Sequence, residues 1–182
     1  MELTAGQELP LASAKITLGV GWDKERTAGA IGTGAPDIDL DATAVQFAGE
    51  QLFDLAFYNN LSTRDGSVVH LGDNLTGAGE GDDEQITVDL GRVHGPVDTI
   101  VLLVSSYHGH TLEWVNRAYC RISDGSDTEL ARFRITGGVP QTGMVLATLK
   151  RSGEAWVMRA VGQGVAITVP TQGLAKLRPY LG

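Results

Sequence analysis

The chain has 182 residues, of which 42% are hydrophobic and 20% are charged, a composition that suits a globular protein with a sizeable core. Its 22 acidic and 14 basic residues give a formal net charge of -8, which argues against a nucleic-acid-binding protein, because such proteins present basic patches to phosphate groups. The single cysteine excludes an internal disulfide framework, and no apolar run approaches the roughly 20 residues that a membrane-spanning helix needs.

The first ten residues lack both the basic start and the long apolar core of a secretory signal peptide. Together with the single cysteine, this predicts a cytoplasmic protein. The length of 182 residues and the composition predict one domain over residues 1–182. The cysteine, Cys120, lies in an alternating segment at 118–122. We therefore expect it to be a small buried hydrophobic residue rather than a reactive thiol.

Short β-branched and aromatic runs with a period of two are separated by Gly, Asp, Asn and Pro, the pattern of antiparallel sheets. The predicted strands, in chain order, are 15–20, 41–47, 55–58, 68–71, 85–90, 99–105, 118–122, 129–135, 144–149 and 155–161. Residues 99–104 are apolar on both faces and predict a central strand, whereas residues 85–90 alternate and predict one solvent-facing side. Short helices are predicted at 112–116 and 172–177, the second ending before Pro179. Ten strands predict an all-β fold, a two-layer antiparallel β-sandwich with a few short helices.

Two acidic segments hold eight carboxylates, a number equal to the negative charge excess. Residues 72–84 read GDNLTGAGEGDDE and contain five of them, and Asp37, Asp39 and Asp41 stand at alternate positions upstream. Ca²⁺ takes about six to eight oxygen ligands, and glycines let a loop turn its carbonyl groups inward. Because crowded anions repel one another, cations are expected to complete the fold. The two segments therefore predict a metal site, with calcium as the metal.

Neither segment is a complete EF-hand or P-loop, and residues 72–84 resemble one turn of a glycine-aspartate calcium repeat that occurs only once in the sequence, which excludes a β-helix array. The stretch 37–48 begins with the D-x-D-x-D of an EF-hand, but its sixth and twelfth positions are Ala42 and Ala48, where that loop needs Gly and Glu. The segment 72–84 lacks the Gly-Lys-Ser/Thr of a P-loop. The four histidines show no metal-ligand spacing with the cysteine, and the serines near them have no nucleophile-elbow signature. No catalytic residue is predicted.

Six spaced blocks resemble the TerD family of tellurium-resistance and stress-response proteins. The blocks are GVGWD (19–23), DIDLDA (37–42), FYNNL (57–61), GDNLTGAGEGDDE (72–84), ELAR (129–132) and RAVGQG (159–164). They follow one another across nearly the whole chain. After Arg132 the family's usual Tyr-Asp-Leu is replaced by Phe133, Arg134 and Ile135, and here the chain is closer to the TerX and TerZ types.

This resemblance implies a cytoplasmic, calcium-binding β-sandwich from bacterial operons linked to resistance against tellurite and other stresses. It implies no catalytic activity, so we expect the protein not to be an enzyme. It also implies two Ca²⁺ ions between loops at one end of the sandwich, held by Asp39, Asp41, Asn59, Asp73, Asn74, Asp82, Asp83 and Glu84. The expected partners are other proteins of a stress-response complex, including a membrane-associated one.

Two functions from different classes are compatible with these residues. The favoured one is a calcium-responsive binding or scaffold module, in which the cation neutralises the carboxylates and sets the surface offered to a partner. The alternative is a metal-dependent hydrolase that acts on phosphoesters and uses an open metal position to activate water. No His, Lys or Arg lies inside either acidic segment, so the general acid or base and the cationic group of such an enzyme are missing there. The sequence therefore favours binding.

Overall fold

The computed structural model describes residues 1–22, 39–73, 81–107, 109, 111–114, 118–135 and 139–182, with all their side chains except those of residues 73, 114 and 135. Eleven strands lie in these ranges: β1 (Glu8–Leu11), β2 (Lys15–Gly21), β3 (Leu40–Ala48), β4 (Gln51–Ala56), β5 (Val68–Asp73), β6 (Glu84–Asp89), β7 (Thr99–Ser106), β8 (Ala118–Asp124), β9 (Glu129–Ile135), β10 (Gly143–Ser152) and β11 (Ala155–Val165). Short 3₁₀ helices span Leu90–Arg92, Leu112–Trp114, Pro170–Gln172 and Leu174–Tyr180.

The strands form two antiparallel sheets that enclose a common apolar core. One sheet has six strands in the order β1-β11-β10-β7-β3-β4, and the other has five in the order β5-β6-β2-β8-β9. Leu18 and Ile86 from the five-stranded sheet and Leu102 and Leu146 from the six-stranded sheet are buried in the same cluster. The predicted all-β fold, a two-layer antiparallel β-sandwich with a few short helices, is confirmed.

Hydrophobic patterning predicted the two best-defined strands correctly. Every residue of β7 is buried, and β7 lies between β10 and β3 in the middle of its sheet. Ile100 and Leu102 point into the core between the sheets, whereas Val101 and Leu103 contact a second apolar cluster on the other face. In β6 buried and half-buried residues alternate, as expected for a strand with one solvent-facing side.

Three differences from the predicted elements have a direct physical reason. Strand β1 is absent from the prediction because its sequence, ELPL, contains a proline, which is tolerated here at a sheet edge beside β11. Strand β4 spans Gln51–Ala56 instead of the predicted 55–58. It ends at Ala56 because the chain then turns at 57–60, where Phe57 and Asn60 exchange two backbone hydrogen bonds. The last 3₁₀ helix continues through Pro179, since two of its hydrogen bonds, from the Lys176 N–H to the Gly173 carbonyl and from the Leu181 N–H to the Arg178 carbonyl, need no amide hydrogen on that proline.

Cys120 is buried on the core face of β8, as predicted. Burial raises the pKa of its thiol to about 12, so the thiolate needed for reactivity is scarce at neutral pH. No helix in the described part of the chain is long and apolar enough to cross a bilayer. The cytoplasmic location stays a prediction.

Asp65 ties the turn before β5 to strand β3 and to the loop before β7. One carboxylate oxygen accepts from the Thr63 and Ser67 hydroxyls, both at 2.8 Å, and the other accepts from the Gln46 amide at 3.2 Å and the His94 backbone N–H at 2.9 Å. Burial alone would raise the pKa of Asp65, but these hydrogen bonds outweigh it and lower the pKa to about 2. Folding therefore favours the ionised carboxylate.

We expect Asp65→Asn to lower the free energy of unfolding by about 2 kcal/mol at neutral pH, because charge-assisted hydrogen bonds are lost. The folded-state pKa lies below the ordinary value of 3.8, so this stabilisation is complete above that value and disappears as the pH falls through about 2. Urea unfolding at pH 7 and in acid measures both, with exposed Glu154→Gln as the control. A deficit for Asp65→Asn that is equally large at both pH values would contradict this role.

Candidate metal centre

Strands from both sheets meet at one end of the sandwich and bring the acidic segments together. Strands β2 and β5 end here, at Gly21 and Asp73, whereas β3 and β6 begin here, at Leu40 and Glu84. Glu84 pairs with Val20 on one side and with Asp73 on the other. We call this region the acidic end and define it by Asp39, Asp41, Asp82, Asp83 and Glu84.

Glu84 joins the two sheets across the acidic end. Its side chain points inward, is 2% exposed, and accepts a hydrogen bond of 2.5 Å from the backbone N–H of Ala42 in β3. The same oxygen, Oε2, lies 3.4 Å from Nε2 of His70. Because His70 Nδ1 accepts the Gly72 N–H at 3.0 Å, the ring carries its hydrogen on Nε2, facing the carboxylate. Glu84 is thus a buried side chain that contacts both β3 and β5.

Asp83 is held against the end of β2. Its backbone N–H donates to the Val20 carbonyl at 2.8 Å, and its carboxylate accepts from the Trp22 backbone N–H, also at 2.8 Å. The side chain is 7% exposed. These two contacts hold the backbone and the carboxylate of Asp83. The orientation of its side chain is therefore set by Val20 and Trp22, at the end of β2.

Asp41 and Asp39 belong to the opposite sheet. Asp41 is 3% exposed and lies opposite Ser105 in the β3–β7 pairing, whereas Asp39 is half-buried and accepts the Tyr107 backbone N–H at 3.0 Å through its carbonyl oxygen. Burial raises the pKa of Tyr58, and the negative charge of Asp41 raises it further. Asp41 therefore adds a third buried carboxylate to this end of the molecule.

Asp82 and Asn59 are placed differently from the other predicted ligands. The Asp82 carboxylate lies on the outer face of the five-stranded sheet, where it contacts Arg121 at 2.8–2.9 Å, Gln85 at 2.8 Å and Tyr119 at 3.1 Å. Asn59 is exposed in the turn at 57–60 after β4. The structure thus places Asp39, Asp41, Asp83 and Glu84 at the same end of the sandwich, and it gives Asp82 another set of partners.

The remaining predicted ligands lie outside what the structure describes. Asn74 is outside the described residues, and so are two of the eight carboxylates, Asp37 and Glu80; Asp73 is described through its backbone alone. Within the described ranges, no three His, Cys, Asp or Glu side chains are grouped closely enough to hold a metal ion by themselves. In kind, the buried carboxylates fit Ca²⁺, which prefers oxygen donors. The predicted ligand set therefore stays a prediction.

Several residues of this region were not predicted from the sequence. His70 was set aside because it lacks metal-ligand spacing, yet it faces Glu84 from a neighbouring strand. Arg121 is 39 positions away from Asp82, and only the register of β2 with β8 brings the two together. The sequence feature that could have indicated these contacts is the GVGWD block. Its alternate glycines, Gly19 and Gly21, leave space for the Asp82 and Tyr119 side chains that lie over them.

Known proteins resemble this chain over most of its length. The family model described as the TerD domain matches residues 1–177. The chain is 37% identical over 155 residues to the tellurium resistance protein TerZ of Serratia marcescens, a match that covers 83% of this chain and 80% of the relative. It is 33% identical over 183 residues to the stress response protein SCP2 of Bacillus subtilis (strain 168), with 90% and 92% covered.

A solved structure shares the fold. The crystal structure of a homologue of the telluride resistance protein TerD from Streptomyces coelicolor A3(2) has a TM-score of 0.71, with 86% of this chain and 92% of that chain covered. The identity is 18%, so this likeness concerns the fold alone.

Proposed function

The chain belongs to the TerD family, and from this membership we propose that it is a calcium-binding module of a bacterial tellurite-resistance or stress-response system. The names of its relatives support the general role, since TerZ is a tellurium resistance protein and SCP2 a stress response protein. The more specific part of the proposal, calcium binding by a scaffold protein, is supported by the chemistry of the acidic end.

The observation that carries the calcium proposal is the burial of three carboxylates at one end of the sandwich. Asp41, Asp83 and Glu84 are each at most 7% exposed and come from both sheets. Burial of carboxylates is costly unless positive charge or hydrogen bonds compensate for it. A divalent cation supplies such compensation, and carboxylate oxygens are its preferred ligands.

In this proposal Asp39, Asp41, Asp83 and Glu84 supply the described part of the ligand set for two Ca²⁺ ions. Asp73 and Asn74 belong to the same predicted set, as does Asn59 in the neighbouring turn. Bound calcium would neutralise the acidic end and stabilise the arrangement of the loops that meet there. That surface would then be recognised by other proteins of a stress-response complex.

A binding role is favoured over the alternative, a metal-dependent hydrolase of phosphoesters. Such an enzyme needs a general acid or base that reaches its substrate. His70 is the described histidine at the acidic end, and its side chain is 1% exposed and directed at Glu84, so an external phosphoester does not reach it. Arg121, the cation beside Asp82, is already engaged by that carboxylate. Neither group is available to assist a leaving anion.

The experiment that separates the two classes is a hydrolysis screen of phosphomonoesters and phosphodiesters with the calcium-loaded and the magnesium-loaded protein. We expect calcium binding without turnover above the rate of a metal-free control. Hydrolysis that depends on metal and disappears in Asp83→Asn would support the enzyme instead.

A further inference from the structure

Asp82 differs from its acidic neighbours because donors already surround its carboxylate. Oδ1 accepts from Arg121 Nε at 2.9 Å and from the Tyr119 hydroxyl at 3.1 Å. Oδ2 accepts from Arg121 Nη2 at 2.8 Å and Nε at 2.9 Å, and from the Gln85 amide at 2.8 Å. A carboxylate offers about four lone-pair positions, so these contacts fill them. The guanidinium would also repel a divalent cation at this position.

Gly19 lies directly beneath the Asp82 carboxylate. In the sheet register Gln85, Gly19 and Arg121 form one row across β6, β2 and β8, and Asp82 lies above the middle of that row. A Cβ atom at Gly19 would come within 2.2 Å of Asp82 Oδ2, well inside contact distance. The absence of a side chain at position 19 therefore creates the space in which Arg121 and Gln85 reach the carboxylate from both sides.

The pair is partly buried and ionised. The side chains of Asp82 and Arg121 are 1% and 17% exposed. Burial would raise the pKa of Asp82, but hydrogen bonds from Arg121 and Gln85, together with the charge of Arg121, lower it. Because the guanidinium of Arg121 contacts both carboxylate oxygens, the bidentate pair fixes the orientation of the Asp82 carboxylate as well as its distance from Arg121.

We propose that Asp82 is a positioning residue and not a calcium ligand, an inference that rests on the proposed function. Arg121 anchors Asp82 on the outer face of the sheet and thereby fixes the path of the chain into Asp83 and Glu84. Asp83 is the next residue, and its N–H and carboxylate are held at β2 by bonds of 2.8 Å. Asp82 is held on the outer face of the sheet and Glu84 between the sheets, so contacts on both faces fix the start of β6.

Two variants test this role without changing any formal charge. Gly19→Ala displaces the Asp82 carboxylate, because the added Cβ occupies its position. Arg121→Lys keeps the positive charge but loses the bidentate contact. Their matched controls are Gly95→Ala, where a Cβ meets nothing within 4 Å, and Arg134→Lys, in an exposed ion pair with Glu2. Calcium affinity is measured by titration calorimetry.

We expect both test variants to bind Ca²⁺ about 10- to 100-fold more weakly, the usual effect of losing a group that orients a metal ligand, and both controls to bind like the wild type. If Asp82 were a ligand, Arg121 would compete with the metal, and the weaker contact in Arg121→Lys would strengthen calcium binding. Unchanged or tighter binding in Gly19→Ala and Arg121→Lys would therefore overturn the proposal.

Amide hydrogen exchange in the calcium-free protein tests the same role independently of metal. The Asp83 N–H should exchange faster in both test variants than in the wild type and the controls, while the Leu102 amide, in central strand β7, reports an intact fold. If the wild type binds no calcium, the proposed function fails, yet this exchange measurement still tests the anchor. Unchanged protection of the Asp83 amide in both variants would overturn it.

Discussion

Calcium at a hundredfold excess over Kd is expected to raise the free energy of unfolding by about 2.7 kcal/mol for one site. For a protein of this size, that corresponds to an increase in Tm of roughly 5–11 °C. The physical reason is that Asp41, Asp83 and Glu84 are buried at one end of the sandwich, where a bound cation would offset the cost of burying charged carboxylates. A second ion would add to the shift.

Differential scanning calorimetry of the protein in chelator and in millimolar Ca²⁺ measures this shift. Mg²⁺ at the same concentration is the control for ionic strength, since screening alone acts on all surface charges. An unchanged Tm at millimolar Ca²⁺ would sink the proposal that the acidic end is a calcium site.

The second large effect is expected for Asp83→Asn, which should weaken calcium binding by about 10- to 100-fold. This estimate corresponds to the loss of an interaction with a charged group worth about 1.5–3 kcal/mol. The asparagine oxygen can still accept the Trp22 N–H that Asp83 accepts at 2.8 Å, so the Tm of the calcium-free protein should change little. Loss of affinity without loss of apo stability would mark Asp83 as a ligand.

Asp98→Asn is the matched control because it removes the same charge at an exposed residue at the opposite end of the sandwich, just before β7. The asparagine oxygen there can still accept the Gly49 N–H that Asp98 accepts at 3.1 Å. If Asp83→Asn binds calcium as tightly as Asp98→Asn, the site lies elsewhere.

The hydrophobic pattern within single segments was sufficient to predict most of the strands. Strand β7 is apolar on both faces and β6 alternates, and each pattern reports directly how many sides of the strand are covered. Strand β1 was missed because four residues with a proline carry no clear period, and only pairing with β11 makes them a strand. The start of β4 was missed for a similar reason, since Gln51 and Leu52 are exposed and gain their strand conformation from β3.

The acidic end was predictable in composition but not in geometry. The spacing of Asp39 and Asp41 and the cluster at 82–84 predicted a site, and the structure places Asp39, Asp41, Asp83 and Glu84 at one end of the sandwich. The different role inferred for Asp82 was not visible, because its partners Arg121 and Tyr119 come from β8, far along the chain. The pairing of β2 with β8, two strands far apart in the chain, decides that Asp82 rather than Asp83 or Glu84 meets the guanidinium of Arg121.

The most direct test of the central claim is a calorimetric titration of the wild-type protein with Ca²⁺ in the presence of millimolar Mg²⁺ and without any other ligand. Mg²⁺ demands near-octahedral geometry at about 2.0–2.1 Å, whereas Ca²⁺ accepts irregular oxygen sets at about 2.3–2.6 Å, which suits carboxylates gathered from two sheets. We predict that Ca²⁺ binds and that Mg²⁺ does not displace it. Displacement of micromolar Ca²⁺ by millimolar Mg²⁺, or binding that requires a phosphorylated compound, would contradict the account.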